Sequence, residues 1–397
     1  MARRGSSKVR SRARELSKND RITRLPDGVI HHIFSFIDTR SVVRSSLLSQ
    51  SWRNTWKSHS HLNFEIGPSP DQASSSNFPK FAHRFLSKLD DVTELSTIDF
   101  RSNSITLRLL KKIVIYAMSH RTRKLKIEFL GDKQTRRGGF DSSLFRSRYL
   151  EHLVLSIDFG LKISPSLTWD FPALTTLTIK RVTFTLQLPN GDASRSIDLF
   201  SRFPNLKTLA LDGCTLSNIN TFIIKSSELE SLSLICINQS CEFVVSAPKL
   251  SSFTYNGIAR FLLSTKDLCS LKTVNFQTIY HRSIQGQPMF IELLINTFQQ
   301  LGQPMFIELL INTFQQLCKA KSLTLNLDAV RLLSKFPELR ERQNCPFTSL
   351  ESLTLVSRHR LPKSLTAFAS VLDYFSRNSP ALKVHIDLNP KPLLFRY

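Results

Sequence analysis

The side chains whose types could support catalysis or metal binding stand apart from one another along this chain. Asp90 and Asp91 are adjacent carboxylates, but neighbours on a loop read as surface charges rather than as a positioned acid and base. His59 and His61 have no cysteine or carboxylate constellation around them. The six cysteines (Cys214, Cys236, Cys241, Cys269, Cys318 and Cys345) are scattered. Cys236 and Cys241 come nearest to a metal-ligand spacing, yet no second pair or nearby histidine completes a tetrahedral set, so all six read as reduced thiols. Neither G-x-x-x-x-G-K-[ST], G-x-S-x-G nor H-E-x-x-H occurs, nor a G-x-G-x-x-G after a strand. The expectation is a non-catalytic chain with no metal and no cofactor. Its chemistry is then recognition of other molecules, and the surfaces that recognise must come from its helices and strands.

The first such surface lies in residues Asp20 to Trp56, a short helical stretch with more apolar surface than it could bury within itself. Val29, Ile30, Ile33, Phe34, Phe36 and Ile37 cover nearly the whole circumference of its first expected helix. A helix seated on its own small core needs only one apolar stripe. A domain of this size is marginal alone, and uncovered apolar surface marks a docking site. Pro26 suits a first-turn position, while Thr39 and Ser49 precede apolar-periodic runs as expected N-caps.

Asp20, Arg21 and Ile22, then Leu25, Pro26 and Asp27, then Val42, Val43 and Arg44, and finally Leu48, Ser49, Trp52, Arg53 and Trp56 resemble the plant F-box in order and spacing. The stretch departs from that pattern at Gln50 and Ser51, where basic residues are more usual. The resemblance implies a three-helix module docking onto an acidic Skp-family adaptor, and through it onto a cullin and RING ubiquitin ligase. Carried over position by position, the adaptor contacts are Leu25, Pro26, Val29, Ile33, Ile37, Val43, Leu48 and Trp52.

With 397 residues, 41% of them hydrophobic, the chain has the composition of a globular protein. No apolar run approaches the ~18 residues of a membrane helix, and Met1 to Arg21 is basic and polar without a secretory h-region. The net charge of +23 attracts polyanions. Residues 1–18 carry Arg3, Arg4, Lys8, Arg10, Arg12, Arg14 and Lys18. They read as a basic disordered tail or a nuclear import signal. A second basic cluster, Arg121, Arg123, Lys124, Lys126, Lys133, Arg136 and Arg137, reads as a solvated face.

Beyond the helical module of residues 19–60, the pattern L-x-x-L-x-L recurs through residues 61–397. Instances include Leu150/Leu153/Leu155, Leu174/Leu177/Ile179, Leu206/Leu209/Leu211, Leu229/Leu232/Leu234 and Leu350/Leu353/Leu355. Weaker ones are Leu250/Phe253/Tyr255, Leu271/Val274/Phe276 and Ala320/Leu323/Leu325. Starts at 206, 229, 250 and 271 are 23, 21 and 21 residues apart, within the leucine-rich-repeat range. The last two apolar positions of each unit have period two, so both face one side of a short strand. In Leu206 to Leu216 the Asn/Cys position of the repeat is Cys214, which places that thiol inside a turn. The region resembles the divergent leucine-rich repeats that follow the F-box in many plant proteins. The tail pattern of the narrower FBD subfamily is not found at the carboxyl end.

The expected fold is therefore α/β, a small amino-terminal three-helix module followed by a curved leucine-rich-repeat solenoid with its parallel sheet on the concave face. Leu62 to Ile66 reads as its first strand, Gly67 to Pro79 as a loop and Phe81 to Leu89 as a helix. Gly286 to Leu301 is repeated without change as Gly302 to Leu317. Sixteen residues are too few for a repeat unit, so each copy reads as one amphipathic helix, with Gly302 and Pro304 breaking the two apart.

Of the 24 positions alternating with the buried ones in the eight units, 13 are Ser or Thr, and Lys180 and Asp212 are the only charged ones. A nucleic-acid groove would concentrate Lys and Arg there, so the face suits a protein target. The expected contacts are Thr176, Thr178, Lys180, Thr208, Asp212, Ser231, Ser233, Thr254 and Asn256. The reading overall is a substrate receptor of a Skp/cullin/F-box ubiquitin ligase in the nucleus or cytoplasm. The alternative is a basic nuclear protein that binds nucleic acid through its tail and convex face.

Overall fold

The computed structural model describes residues 25–49, 51–66, 72–89, 94–102, 107–129, 145–157, 162–163, 169–185, 196–235, 237, 241–257, 263–264, 268, 270–278, 303–334, 344–357 and 366–388. The expected basic tail, Asp90, Asp91, Cys236, Cys269 and the first copy of the tandem duplication lie outside them. Two compact units divide at Thr135 and Arg136.

The first unit begins with helix α1 (Asp27–Phe34), in which Asp27 favours the positive end of the helix dipole. Pro26 is the capping residue rather than a first-turn residue, and its carbonyl accepts from the N–H groups of Val29 and Ile30. Helix α2 (Thr39–Ser45) is capped by Asp38, whose carboxylate accepts from the Ser41 N–H at 3.0 Å. Thr39, the expected cap, is instead a buried helical residue whose Oγ1 accepts from the Asn63 N–H at 2.8 Å. The competition turns on one carboxylate, since Asp38 offers a charged acceptor one position earlier. The expected third helix is replaced by two short 3₁₀ turns, Ser51–Arg53 and Thr55–Ser58.

Strand β1 (His61–Ile66), helix α3 (Gln72–Leu86), strand β2 (Thr97–Ser102), helix α4 (Leu107–Ser119) and strand β3 (Lys124–Phe129) complete this unit. The three strands pair in parallel in chain order. Helix α3 starts nine residues before the sequence expectation and contains Pro79, so the expected loop from Gly67 to Pro79 is only partly a loop. Buried Phe78, Ala82 and Phe85 explain why. Phe78 and Phe85 pack against Phe64 of β1, with ring centroids 5.9 and 5.8 Å away, and this burial overrides the weak propensity of a Ser- and Pro-rich stretch.

The second unit runs through β4 (His152–Ile157), β5 (Lys162–Ile163), β6 (Thr176–Lys180), β7 (Thr183–Thr185), β8 (Ser196–Asp198), β9 (Thr208–Asp212), β10 (Thr215–Ser217), β11 (Thr221–Lys225) and β12 (Ser231–Ile235). It continues with β13 (Glu242–Ser246), β14 (Ser252–Gly257), β15 (Leu263–Ser264), β16 (Thr273–Thr278), α5 (Gln303–Gln316), β17 (Ser322–Asn326), α6 (Leu327–Ser334), β18 (Ser352–Val356), α7 (Thr366–Ser376) and β19 (Lys383–Asp387). Its main sheet is wholly parallel, in the order β4-β6-β9-β12-β14-β16-β17-β18-β19.

The register aligns Leu153, Leu177, Leu209, Leu232, Phe253, Val274, Leu323 and Leu353 in one buried row, and Leu155, Ile179, Leu211, Leu234, Tyr255, Phe276, Leu325 and Leu355 in another. These are the repeat positions, now a single ladder. Two smaller parallel sheets, β5-β7-β10 and β8-β11-β13-β15, replace helices in the earlier repeats. Phe184, Phe200, Phe222 and Phe243 form a chain of ring contacts at 5.6–5.9 Å there. From β16 onward the supporting elements are helices. The second copy of the duplication is helix α5, with Pro304 in its first turn and Leu310, Ile311, Phe314 and Leu317 buried.

Candidate functional site: the amino-terminal helices and the strand face

Helix α1 seats only two side chains, Ile30 and Phe34. Phe34 meets Trp52 edge-on at 5.6 Å and His59 at 5.6 Å, so the first 3₁₀ turn and the chain before β1 close the core beneath the helix. Val42, Trp52 and Trp56 complete it. The Trp56 ring lies 5.3 Å from Phe85 of α3, and its Nε1 donates to the Arg53 carbonyl.

Five other large apolar side chains in this segment face outward. Val29 is 43% exposed, Ile33 38%, Phe36 74%, Leu47 87% and Leu48 68%. Half of the large exposed hydrophobic residues among the described residues thus fall between positions 29 and 48. Single exposed leucines are ordinary, whereas such a concentration on one short segment marks a docking surface.

Of the expected adaptor contacts, Pro26, Val29, Ile33 and Leu48 are exposed, and Leu25, Ile37 and Val43 are half-buried. Trp52 is a correction: it is 6% exposed and belongs to the internal core, where its ring is held against Phe34. Phe36 and Leu47, outside the expected set, are exposed as well. The signal that finds them is subtraction, because neither is needed once Ile30, Phe34, Val42 and the two tryptophans fill the small core.

Beneath α1, His59 is buried with its ring stacked on His31 at 5.8 Å and tilted against His61 at 5.8 Å. Burial, followed by the neighbouring His61 and His31, pulls its pKa from 6.5 down to about 4. The imidazole is therefore neutral at neutral pH. No group of three or more His, Cys, Asp or Glu suited to a metal ion occurs among the described residues.

The alternating face of the main sheet brings the expected target contacts into rows. Thr176, Thr208 and Ser231 share one register position; Thr178, Ser233 and Thr254 share the next; Lys180, Asp212 and Asn256 share the third. Thr178 and Ser233 are themselves buried, along with Val154 and Ala210 of the same row. They are corrections to the expected contact set. Adjacent strands lie only ~4.8 Å apart, so a small side chain flanked on both sides keeps little exposure. The remaining seven are half-buried. Burial raises the Asp212 pKa against the opposing pull of Lys180 and Arg181.

At the turn after β9, Gly213 adopts φ +62°, and Cys214 lies inside, its Sγ donating to the Ile179 carbonyl at 3.4 Å. Burial pushes that thiol up to about 12, as a structural cysteine requires. Cys241 and Cys345 are likewise pushed up by burial, to about 12 and about 11.

The first unit's strand face differs. Glu65, Arg101 and Glu128 stand side by side across β1, β2 and β3, with Arg101 bridging both carboxylates at 3.3 and 2.7 Å. Lys126 reaches Asp99 at 3.7 Å and Glu128 at 3.4 Å. Arg121 meets Glu94 at 3.0 Å. Of the expected basic cluster, Arg121 and Lys126 are ion-paired on the surface, and Lys133, Arg136 and Arg137 lie outside the described residues. A further basic surface lies on α3 and α4. Two hollows of about 350 and 440 Å³ share Lys80 and Arg84 and are rimmed further by His83, Lys88, Arg108 and Lys112. Val43, Trp56, Phe81 and Phe85 line the first.

Residues 22–63 match the F-box domain family, and the match covers the helices whose apolar side chains face outward. Among curated proteins of Arabidopsis thaliana, an FBD-associated F-box protein is 26% identical over 370 residues, spanning 92% of this chain and 76% of the relative. An F-box/FBD/LRR-repeat protein is 32% identical over 250 residues, spanning 60% of this chain and 51% of the relative. Residues 22–63 are thus an F-box, and the chain around them is similar to plant F-box/LRR-repeat proteins.

Against other Arabidopsis relatives the chain spans 52–58% of their length. The F-box match ends at residue 63, inside β1. The outward residues Val29, Ile33, Phe36, Leu47 and Leu48 all fall within it. So does the Thr39 to Asn63 hydrogen bond that ties helix α2 to the first strand.

Proposed function

We propose that the chain is a substrate-recognition subunit of a Skp/cullin/F-box ubiquitin ligase. The F-box helices dock a Skp-type adaptor, and through it a cullin and a RING protein, while the repeats hold a target protein. The chain is itself non-catalytic: ubiquitin transfer to the target is promoted by proximity. The observation that carries this reading is the set of large apolar side chains turned outward from α1 and the 46–48 turn, on a module whose small core is already filled. In the 397-residue chain, Val29→Asp with Ile33→Asp is expected to weaken adaptor co-purification at least roughly thirtyfold, two central apolar contacts being lost. The cooperative melt of the chain is expected to persist. Adaptor binding that survives this double substitution would overturn the proposal.

For the target, the rows from Thr176 to Asn256 supply hydroxyl and amide groups with little net charge, which suits a polar protein surface. With this reading we propose a location in the nucleus or cytoplasm.

A second reading has its own support in the basic rim of α3 and α4, built from Lys80, Arg84, Lys88, Arg108 and Lys112. Such a rim attracts nucleic acid. Affinity for duplex or single-stranded nucleic acid that falls steeply with salt, and that Lys80→Glu with Arg84→Glu removes, would favour it.

A further inference from the structure

The two leucine rows that run through the second unit become exposed at β19, its outermost described strand. Leu353 and Leu355 of β18 are fully buried, yet their register partners on β19, Val384 and Ile386, are 40% and 53% exposed, and Leu388 just beyond is 50% exposed. Every residue of β19 is exposed. Among the described residues no strand pairs with the far side of β19, and an edge strand offers its backbone groups to another strand.

The backbone of β19 says which groups are on offer. The Lys383 N–H donates to the Glu351 carbonyl, and the Asp387 carbonyl accepts from Ser357. Residues 383, 385 and 387 thus point their backbone groups toward β18. Because these groups alternate along a strand, Val384, Ile386 and Leu388 point theirs at the open edge.

The sequence of this strand, Lys383-Val384-His385-Ile386-Asp387, is complementary to itself when reversed. An antiparallel partner of the same sequence, centred on His385, sets Lys383 opposite Asp387 at both ends. It also sets Val384 opposite Ile386 as a hydrogen-bonded pair, so that the outward N–H and carbonyl groups of both residues are satisfied. The exposed Val384 and Ile386 then meet Ile386 and Val384 of the other copy across the two-fold axis, and Leu388 falls opposite Leu382. This is the geometry of an isologous interface formed by strand addition.

We propose that two copies of this chain associate through antiparallel pairing of β19, centred on His385. Sedimentation velocity of the full chain across a micromolar concentration series is expected to show reversible dimers. Val384→Lys with Ile386→Lys is expected to leave only monomer. Lys383→Glu alone, or Asp387→Lys alone, opposes like charges at both ends and is expected to weaken self-association about tenfold. Combining the two substitutions in one chain restores the opposite-charge pairs and the dimer, and so does mixing the two single variants. A full chain that stays monomeric throughout the series would overturn the proposal, as would a double charge reversal that fails to restore association. A chain that dimerises only after truncation beyond Leu388 would also overturn it, assigning the edge to residues 389–397 instead.

Discussion

The F-box helices and the second unit handle apolar side chains in opposite ways. In the second unit, two rows of leucine-type residues are buried from β4 to β18, and aromatic rings on the neighbouring elements fill the space behind them. In the F-box, five residues close a small core while five others of similar size face outward. Burial is worth roughly 1.5–3 kcal/mol for a large apolar side chain. A segment that forgoes it five times within twenty residues is shaped for something other than its own stability. The same amino acids thus do different work in the two regions, and the distinction lies in which of them the fold needs.

The sharpest way to test that contrast uses two phenylalanines two residues apart. Phe34→Ala removes a buried ring in contact with Trp52 and His59. It is expected to destabilise the first unit by about 3–5 kcal/mol. Phe36→Ala removes a ring that is 74% exposed and touches only His32 among the ring contacts of the described residues, and its effect on stability is expected to stay within about 0.5 kcal/mol. Chemical denaturation of both variants reads the difference. Equal losses would mean that Phe36 is also packed inside, and the outward surface would shrink accordingly.

Acid should break the F-box before the second unit. His59 has a folded pKa of about 4 against 6.5 unfolded. Between these values the unfolded chain holds the extra proton, so stability rises with pH in that window. The contribution is complete above about pH 6.5 and lost as pH falls to about 4, on the order of 2–3 kcal/mol. His61 is shifted in the same direction, by burial first and then by Lys124 and His31. Urea midpoints measured from pH 7 to pH 4 should therefore drop steeply for the wild type. They should drop less for His59→Leu, which keeps an apolar side chain at that position.

What the sequence revealed, and what it hid, follows from the range of the interactions involved. The leucine ladder was legible because period two and a spacing of 21–23 residues are written in the chain itself. Cys214 was placed correctly for the same reason. The Glu65–Arg101–Glu128 row was not, since its members are 36 and 27 residues apart and only the register of β1, β2 and β3 unites them. Trp52 carried the family motif but not its direction, because an aromatic residue in a small module suits a core and an interface equally well. Pro79 was read as loop chemistry, and the burial of Phe78 and Phe85 decided otherwise. The burial of Thr178 and Ser233 also escaped, because alternation gives the face of a side chain and not how closely its neighbours crowd it.

A smaller effect separates the two residues that compete to cap α2. Asp38→Ala removes the acceptor of the Ser41 N–H and of the Ser41 hydroxyl. It is expected to cost about 1 kcal/mol, seen as a lowered melting temperature. Thr39→Ser keeps the hydroxyl that accepts from Asn63 and should cost less. The reverse order would return the cap to Thr39.

The smallest expected effect compares the two strand faces. Arg101 joins Glu65 and Glu128 across three strands of the first unit, and all three side chains are at least partly exposed. Glu128 is held below the usual carboxylate range by Lys126 and Arg101, against the opposing effect of its burial. Exposed pairs contribute little, and salt screens them. Arg101→Met should therefore cost about 0.5–1 kcal/mol at low ionic strength and less at 1 M salt. Thr208→Ala, on the half-buried face of the second unit, should show no salt dependence, because its register partners on both sides, Thr176 and Ser231, carry no charge. Identical salt profiles would mean that the row in the first unit is a coincidence of side-chain length. A profile confined to Arg101→Met would make it a fastening between strands that the Ser- and Thr-lined face of the repeats lacks.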